Sequence, residues 1–146
     1  MAEPFFMRAS GNITRSRFVV MDPNNPGTGA ASGNNVIQAG LNGPVVGVAD
    51  VAGNQPPIPT VTQSPPYAAQ AGQNVRVFPQ GGRCLLEIGT GGCVAGDELK
   101  SDANGAGVAC GLTGKGRVGA VAIMGANAGE LTEVQVTRYD KYGAAS

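Results

Sequence analysis

The chain has 146 residues, a length typical of one domain that buries roughly 70 % of the surface its unfolded chain exposes. Ten basic and ten acidic residues cancel, which argues against the broad basic footprint of a nucleic-acid-binding or membrane-surface protein. The 24 glycines and 10 prolines favour short strands joined by turns, because both residues interrupt helices. Valines recur in alternating runs along the whole length, which argues against a disordered chain.

The first ten residues, "MAEPFFMRAS", have neither the basic leader nor the long apolar centre of a secretory signal. No stretch approaches the roughly 18 consecutive apolar residues of a membrane span, so we expect a protein that is assembled in the cytoplasm.

Residues 1–10 are predicted to form an N-terminal arm ahead of the first strand. Phe5 and Phe6 are adjacent aromatics that do not fit an alternating pattern, and with Met7 they are predicted to contact a partner. The alternative is an arm that folds back over its own domain.

Residues 11–138 are predicted to form a single domain with a duplicated strand pattern, because three stretches recur in the same order. "NITRSRFVVMD" aligns with "CVAGDELKSD" if one residue is dropped before the final aspartate, which places Phe18 over Leu99. "NVIQAGLNGPVVGVA" aligns with "GVACGLTGKGRVGAVA", which places Val36 over Val108. "AGQNVRVF" aligns with "AGELTEVQVT", and each combines a glycine turn with VxV alternation.

Each half is predicted as strand, turn, strand, turn, strand. Two such halves around one core make an all-β protein, a small β-barrel or sandwich, which also removes most exposed sheet edges. The run "VGAVAIMGANAGEL" is apolar enough for a helix, but glycine interrupts it, so we predict a strand. In "RCLLEI" alternation places Cys84, Leu86 and Ile88 on one face and predicts core packing for Cys84. Residues 139–146 are predicted to form a C-terminal tail.

The first half carries two insertions that the second half lacks, "PNNPGTGAASGN" and "NQPPIPTVTQSPPY". Both are rich in Pro, Gly, Asn and Ser, which is typical of exposed loops. The second insertion is a Pro-rich loop that can run as polyproline II across a neighbouring surface. Pro56, Pro57 and Pro59 are therefore predicted partner contacts, and a passive surface loop is the alternative.

The glycine-rich stretch "EIGTGGCVAGDELKSDANGAGVA" invites comparison with a calcium loop or a phosphate cradle. Asp102 and Asn104 begin a calcium-loop pattern, but no glutamate follows at its closing position. "DANG" instead predicts a hairpin turn, because Asn-Gly readily takes positive φ angles. "GKGRVG" fits GxGxxG, but it leads into an alternating run and not into a helix, so we predict no nucleotide site.

Histidine is absent, which excludes a Ser-His-Asp triad and leaves a cysteine nucleophile without an activating base. Cys84, Cys93 and Cys110 are too widely spaced for a zinc knuckle or a CxxC pair. Asp97 and Glu98 are neighbours, so on a strand they point to opposite faces. "AGDEL" resembles the AGYDL motif of the trimeric dUTP pyrophosphatases but lacks its tyrosine and that family's other motifs. We predict no enzyme activity, no cofactor, no metal ligand and no small-molecule substrate.

Over roughly residues 11–137 the order of motifs resembles the capsid cement, or head decoration, proteins of tailed phages. The family's "GVA" strand, "AGxxVxV" turn and strand, and "AGDxLxSDxxG" hairpin appear here as "GVAD", "AGQNVRV" and "AGDELKSDANG". None of these motifs is chemically specific, and their order carries the resemblance. It implies a β-barrel-like domain on the outside of an icosahedral shell, often a homotrimer where major capsid protein subunits meet. The "AEPFF" start and the Pro-rich loop depart from the plainest family members.

The resemblance therefore implies a structural viral protein of the virion that binds the outer capsid surface and bridges major capsid protein subunits. It would stabilise, or cement, the expanded head without binding nucleic acid or a membrane. The first alternative is a tail or fibre attachment module that binds carbohydrate on its loops. Carbohydrate-binding proteins usually present aromatic side chains to the sugar, and Tyr67 is the one aromatic residue in the two insertions. The second alternative is a small hydrolase.

Overall fold

The computed structural model describes residues 5–22, 35–41, 43–50, 67–69, 72, 74–110 and 116–141, with the backbone alone at 5, 67–69, 140 and 141. Every helix or strand within these ranges is a β-strand, so the predicted all-β class is confirmed. The strands are β1 (Phe5–Ala9), β2 (Ile13–Thr14), β3 (Arg17–Met21), β4 (Asn35–Gln38), β5 (Val45–Asp50), β6 (Tyr67–Ala69), β7 (Asn74–Phe78), β8 (Arg83–Glu87), β9 (Glu98–Ser101), β10 (Gly107–Ala109), β11 (Gly116–Ala122) and β12 (Leu131–Lys141).

The strands of the first half, β1 to β7, and of the second half, β8 to β12, form separate sheets. In the first half, β1-β4-β3-β5-β7 close into a barrel, with β2 and β6 as a small additional pair. In the second half the sheet order is β10-β9-β11-β12-β8. If β8 takes the place of β1, and β10, β9, β11 and β12 those of β4, β3, β5 and β7, the two orders are identical when each is read as a circle. The isolated bridge between Ile88 and Gly107 links β10 with the end of β8. The predicted duplication is therefore present in the strand topology.

Hydrogen bonds at the turns fix which residues of the two halves are equivalent. The N–H of Ser16 donates to the carbonyl of Ala49 at 2.9 Å, as the N–H of Gly96 donates to that of Ala122 at 2.7 Å. Ser16 has φ +59° and Gly96 has φ +90°, so both turns use the same left-handed conformation. The same register makes Val19 the equivalent of Leu99.

A second pair of turns and a pair of aspartates extend this match. The N–H of Gly72 donates to Ala9, as that of Gly129 donates to Ile88, both at 2.7 Å. The N–H of Asp22 donates to Asn35 and that of Asp102 to Ala106. Asp22 and Asp102 are thus equivalent without any dropped residue.

This register corrects the residue matches made from sequence. Val19, and not Phe18, is the equivalent of Leu99. In the same way Val36 is equivalent to Gly107, because Val36 pairs with Ala9 as Gly107 bridges to Ile88. A gap before the aspartate shifts the alignment by one residue, and on a strand a one-residue shift moves every side chain to the other face. Valine content alone could not detect the slip, because β3 is apolar on both faces, with Phe18, Val19 and Val20 all buried.

Two clusters of buried side chains follow from this arrangement. The barrel core lies inside the first half and consists of Met7, Ala9, Ile13, Val19, Val36, Ala49, Val75 and Val77. The junction core joins the halves and consists of Phe18, Val20, Ala39, Val45 and Val48 with Leu86, Ile88, Leu99, Ala120, Ala122, Val134 and Val136. Cys84 is partly buried and packs against the junction core beside Leu86 and Ile88, on the face that alternation predicts.

Polar contacts also cross the junction. Arg17 on β3 forms an ion pair with Glu87 on β8, with 2.7 Å between Nη2 and Oε2. Its Nη1 and the side-chain amide of Gln38 both donate to the carbonyl of Asn104 at 2.7 and 2.6 Å. Asn104 lies in the turn between β9 and β10, where Gly105 has φ +83°. The "DANG" stretch is therefore a hairpin turn, as predicted, and it also anchors one half to the other.

Both ends of the described chain differ from expectation. Residues 5–9, expected in an arm ahead of the first strand, form β1 and pair with both β4 and β7 to close the barrel. At the other end, β12 continues to Lys141, past the predicted boundary at residue 138. Of the run "VGAVAIMGANAGEL", predicted as a strand, only "VGAVA" belongs to β11, where Ala120 and Ala122 pack in the junction core. Residues 123–130 connect β11 to β12.

Candidate interaction surface

The predicted N-terminal contact residues lie on different sides of β1. The Phe6 side chain is 59 % exposed on the outside of the barrel, opposite Arg76 of β7. Met7 is only 7 % exposed and belongs to the barrel core, so its side chain is not available at the surface. Phe5 lies in β1, but its side chain is outside the described part of the chain, as are Pro56, Pro57 and Pro59 altogether.

Two of the three predicted free thiols have pKa values that oppose nucleophilic chemistry. Burial, reinforced by the nearby charge of Asp50, raises the pKa of the Cys84 thiol to about 12. Desolvation is also the largest cause that raises the pKa of Cys93. Both thiols are protonated at neutral pH, and the protonated form is a poor nucleophile.

No group of three His, Cys, Asp or Glu side chains that could hold a metal ion occurs within the described ranges. The same ranges contain no helix that is both long and apolar enough to span a membrane.

A groove between the two halves is the surface feature that sequence reasoning missed. It has a volume of about 620 Å³ and is lined by Met21, Pro44, Val45, Val46, Arg117, Val118, Arg138 and Tyr139. Met21 and Tyr139 are each 40 % exposed. Arg138 Nη1 donates to the carbonyl of Val45 at a long 3.4 Å. We call this feature the junction groove.

The extension of β12 creates one wall of the junction groove. The equivalent of Phe78, where β7 ends, is Gln135, so β12 continues for six more residues to Lys141. These residues pair with the start of β11, where Arg117 lies opposite Asp140 and Val118 opposite Tyr139. In this register β12 continues after Gln135 as "VTRYDK", whereas "PQGG" follows Phe78 in the first half.

Two smaller clefts differ from the junction groove in charge or lining. One, of about 260 Å³, is lined by Asp50, Phe78, Arg83, Cys84, Leu85 and Glu133. Its charges are balanced, since Arg83 pairs with Glu133 at 3.0 Å and Arg76 with Asp50 at 3.1 Å. The other, of about 380 Å³, is lined by Arg8, Ala9, Ser10, Asn35 and Gly72. The junction groove combines the largest of these three volumes with two guanidinium groups and an apolar floor.

The comparisons with known proteins place the fold. Neither a protein-family model nor a curated protein matches the chain. Among solved structures it is similar to the crystal structure of the head fiber gp8.5 N base in bacteriophage phi29. The two share 16 % sequence identity with a TM-score of 0.56, and the match covers 94 % of this chain and 96 % of that one. At this identity the similarity establishes a shared fold.

Proposed function

We propose that the protein is a structural component of a phage virion that binds the outer surface of the icosahedral head. The observation that carries this proposal is the shared fold with a phage head fiber base over nearly the whole length of both chains. The order of motifs that resembles the head decoration proteins points independently to the same class. In this role the protein bridges major capsid protein subunits and cements the expanded head.

The architecture suits a surface protein that has to withstand mechanical stress on the head. The two halves are joined by a shared apolar core and by the ion pair of Arg17 with Glu87, so they resist separation. Exposed apolar side chains occur on both halves, for example Phe6 at 59 % and Leu85 at 52 %. A homotrimer would present several copies of each surface to a symmetric lattice, and avidity would then convert weak contacts into stable attachment.

Cosedimentation with capsids tests the proposal. The purified protein is mixed with expanded heads of the same phage that have been stripped of it, and separately with unexpanded shells. We expect saturable binding to expanded heads at a fixed ratio to the major capsid protein, and a higher melting temperature of the occupied heads. Absence of binding to either particle would overturn the proposal.

The fold similarity also favours a second candidate, because the neighbouring structure is described as the base of a head fiber. In that reading the protein is an attachment module for a fibre or tail structure that contacts carbohydrate. A glycan array tests the carbohydrate part directly. Selective hits that survive dilution would favour this reading, whereas an array without hits would remove the carbohydrate ligand.

A further inference from the structure

From the junction groove we infer a docking site for an extended peptide segment that carries carboxylates next to apolar side chains. The inference deepens the proposed function, on which it rests in one respect: the segment is taken to belong to the capsid shell. The occupant is identified by its chemistry alone.

The long polar side chains of the groove lie outside both cores. Closure of the second half ends with the equivalent of β7, yet β12 and β11 extend beyond that point as a two-stranded ribbon. Arg117, Arg138 and Tyr139 all lie on this ribbon, and none of the three belongs to the barrel core or the junction core. Val136 at the start of this ribbon is fully buried in the junction core, so only the outer part of the ribbon, with the exposed side chains of Arg138 and Tyr139, extends beyond the core.

The charge of the groove fits an acidic ligand. The chain is neutral overall, and two of the eight lining residues of the groove are arginines. Arg117 lies opposite Asp140 in the strand register, so the charge offered to a ligand is that of Arg138. The described hydrogen bond of Arg138 uses one of five guanidinium donors, and its length of 3.4 Å makes it weak. A guanidinium fork matches a carboxylate in geometry and charge, so an acidic side chain is the fitting ligand.

The floor of the groove is apolar. Met21, Pro44, Val45 and Val118 lie beside the arginines, and Met21 and Tyr139 remain 40 % exposed. Methionine and tyrosine adapt well to a partner side chain, since one is flexible and the other combines an apolar ring with a polar tip. A segment that alternates acidic and apolar residues can satisfy both features, because successive side chains of an extended chain point in opposite directions.

The first experiment measures peptide binding to the groove in the absence of capsids. The ¹⁵N-labelled protein is titrated with a capped hexapeptide of alternating Glu and Val, and the amide and arginine Nε signals are followed by NMR. We expect shifts at Val45, Val118, Arg138 and Tyr139 that weaken as salt is added. The same peptide with Gln in place of Glu should bind about tenfold more weakly, since its carboxylates are lost.

Three variants provide the controls. Arg138→Gln combined with Arg117→Gln should reduce affinity for the Glu peptide about tenfold or more. Arg138→Lys keeps the positive charge but loses the planar guanidinium fork. Its affinity for the Glu peptide should therefore lie between that of the double variant and that of the unmodified protein. Arg83→Gln removes an exposed arginine that lines the smaller cleft of about 260 Å³ and pairs with Glu133. This variant should bind the Glu peptide as tightly as the unmodified protein does. Because all of these residues are exposed, we expect each variant to fold.

The second experiment repeats the capsid cosedimentation with the same variants. Loss of capsid binding in the double variant but not in Arg83→Gln would support the groove as the capsid contact. Unchanged capsid binding in the double variant would overturn the inference and leave the proposed function intact. Peptide shifts without capsid binding by the unmodified protein would instead reject the proposed function. No peptide shifts at the groove, or stronger shifts with a single-stranded oligonucleotide, would overturn the inference in either case.

Discussion

In the first half, β1 and β4 meet as two consecutive parallel residue pairs, whereas in the second half the equivalent strands meet at a single bridge between Ile88 and Gly107. The first half encloses a barrel core drawn from its own residues. The second half shares its core with side chains of the first, among them Phe18. The same strand order thus forms a barrel with its own core in the first half. In the second half it forms a sheet whose core also includes side chains of the first half.

The difference arises from side-chain volume at equivalent positions. Val36 lines the barrel core, and its equivalent is Gly107. A Cβ added at Gly107 would lie 2.6 Å from a methyl carbon of Leu86 and 3.5 Å from one of Leu99. The two leucines therefore lie where a valine side chain at this position would extend.

The largest effect is expected for Phe18→Ala. Phe18 is fully buried, and its ring packs where Gly119 leaves room, since a Cβ at Gly119 would lie 2.8 Å from a ring carbon. Removal of the ring should lower the free energy of unfolding by about 3–5 kcal/mol. The matched change Phe6→Ala, at an exposed site, should stay within about 0.5 kcal/mol.

Hydrogen exchange locates that effect. Because the barrel core excludes Phe18, amide protection in Phe18→Ala should fall more in the second half than in β1 and β7, whose buried residues line the barrel core. An equal loss of protection in both halves would contradict the view that only the second half depends on its neighbour.

The next effect is expected for Gly107→Ala, which introduces the contact with Leu86 described above. Overpacking of this kind should cost about 1–3 kcal/mol in the free energy of unfolding, measured by chemical denaturation. Leu86→Val in the same chain should recover part of the loss, so the two changes should not be additive. As a control, Gly11→Ala places a Cβ where nothing lies within 4 Å. Strict additivity at Gly107 and Leu86 would show that their volumes are not coupled.

The sequence predicted the all-β class and the duplication because alternation and turn glycines are local properties of the chain. It predicted three strands in each half, whereas the described residues form seven in the first half and five in the second. The glycine turns of "AGQNVRVF" and "AGELTEVQVT" were correctly matched, since Gly72 and Gly129 both take a positive φ angle. Their VxV patterns were not, because Val77 is the equivalent of Val134. The register of "NITRSRFVVMD" was also wrong, because Phe18 and Val19 are both buried, one in each core. A strand that is apolar on both faces carries no signal that distinguishes them.

The candidate surface was less accessible to sequence reasoning. Phe6 was singled out as an adjacent aromatic, and it is exposed; Met7 lies next to it but faces the barrel core. The junction groove was missed because its residues come from four separate places along the chain. Only the tertiary packing of one half on the other brings Met21 close to Arg138, and no local pattern encodes that proximity.

A smaller effect is expected where equivalent turns carry different residues. Ser16 and Gly96 both adopt a positive φ angle, and only glycine does so without steric cost. Gly96→Ser should therefore lower the free energy of unfolding by roughly 1–2 kcal/mol. Ser16→Gly should change it by less than about 1 kcal/mol, because relief of strain is offset by the greater freedom of glycine in the unfolded chain. A neutral Gly96→Ser would argue that the two turns are not equivalent.

The smallest effect appears only in alkaline solution and distinguishes Cys84 from Cys93. Burial, and then the charge of Asp50, raises the pKa of Cys84 to about 12, above the value of about 8.5 for an unfolded thiol. Between these values the unfolded chain loses a proton that the folded chain keeps, so stability should fall as the pH rises. Cys84→Ala removes this contribution, and its unfolding midpoint should decline less steeply from pH 8.5 upwards.

Alkylation at pH 8 tests the same difference through reactivity. Iodoacetamide requires the thiolate, so Cys93, which is less buried and hydrogen-bonded to the exposed hairpin at Met124, should react before Cys84. Peptide mapping after a timed reaction identifies the modified site, and the denatured protein, in which both thiols react, is the control. Faster reaction at Cys84 than at Cys93 would mean that the first half of the chain leaves the junction core open to solvent. The second half would then not be completed by its neighbour, and the comparison between a self-contained barrel and a shared core would fail at this position.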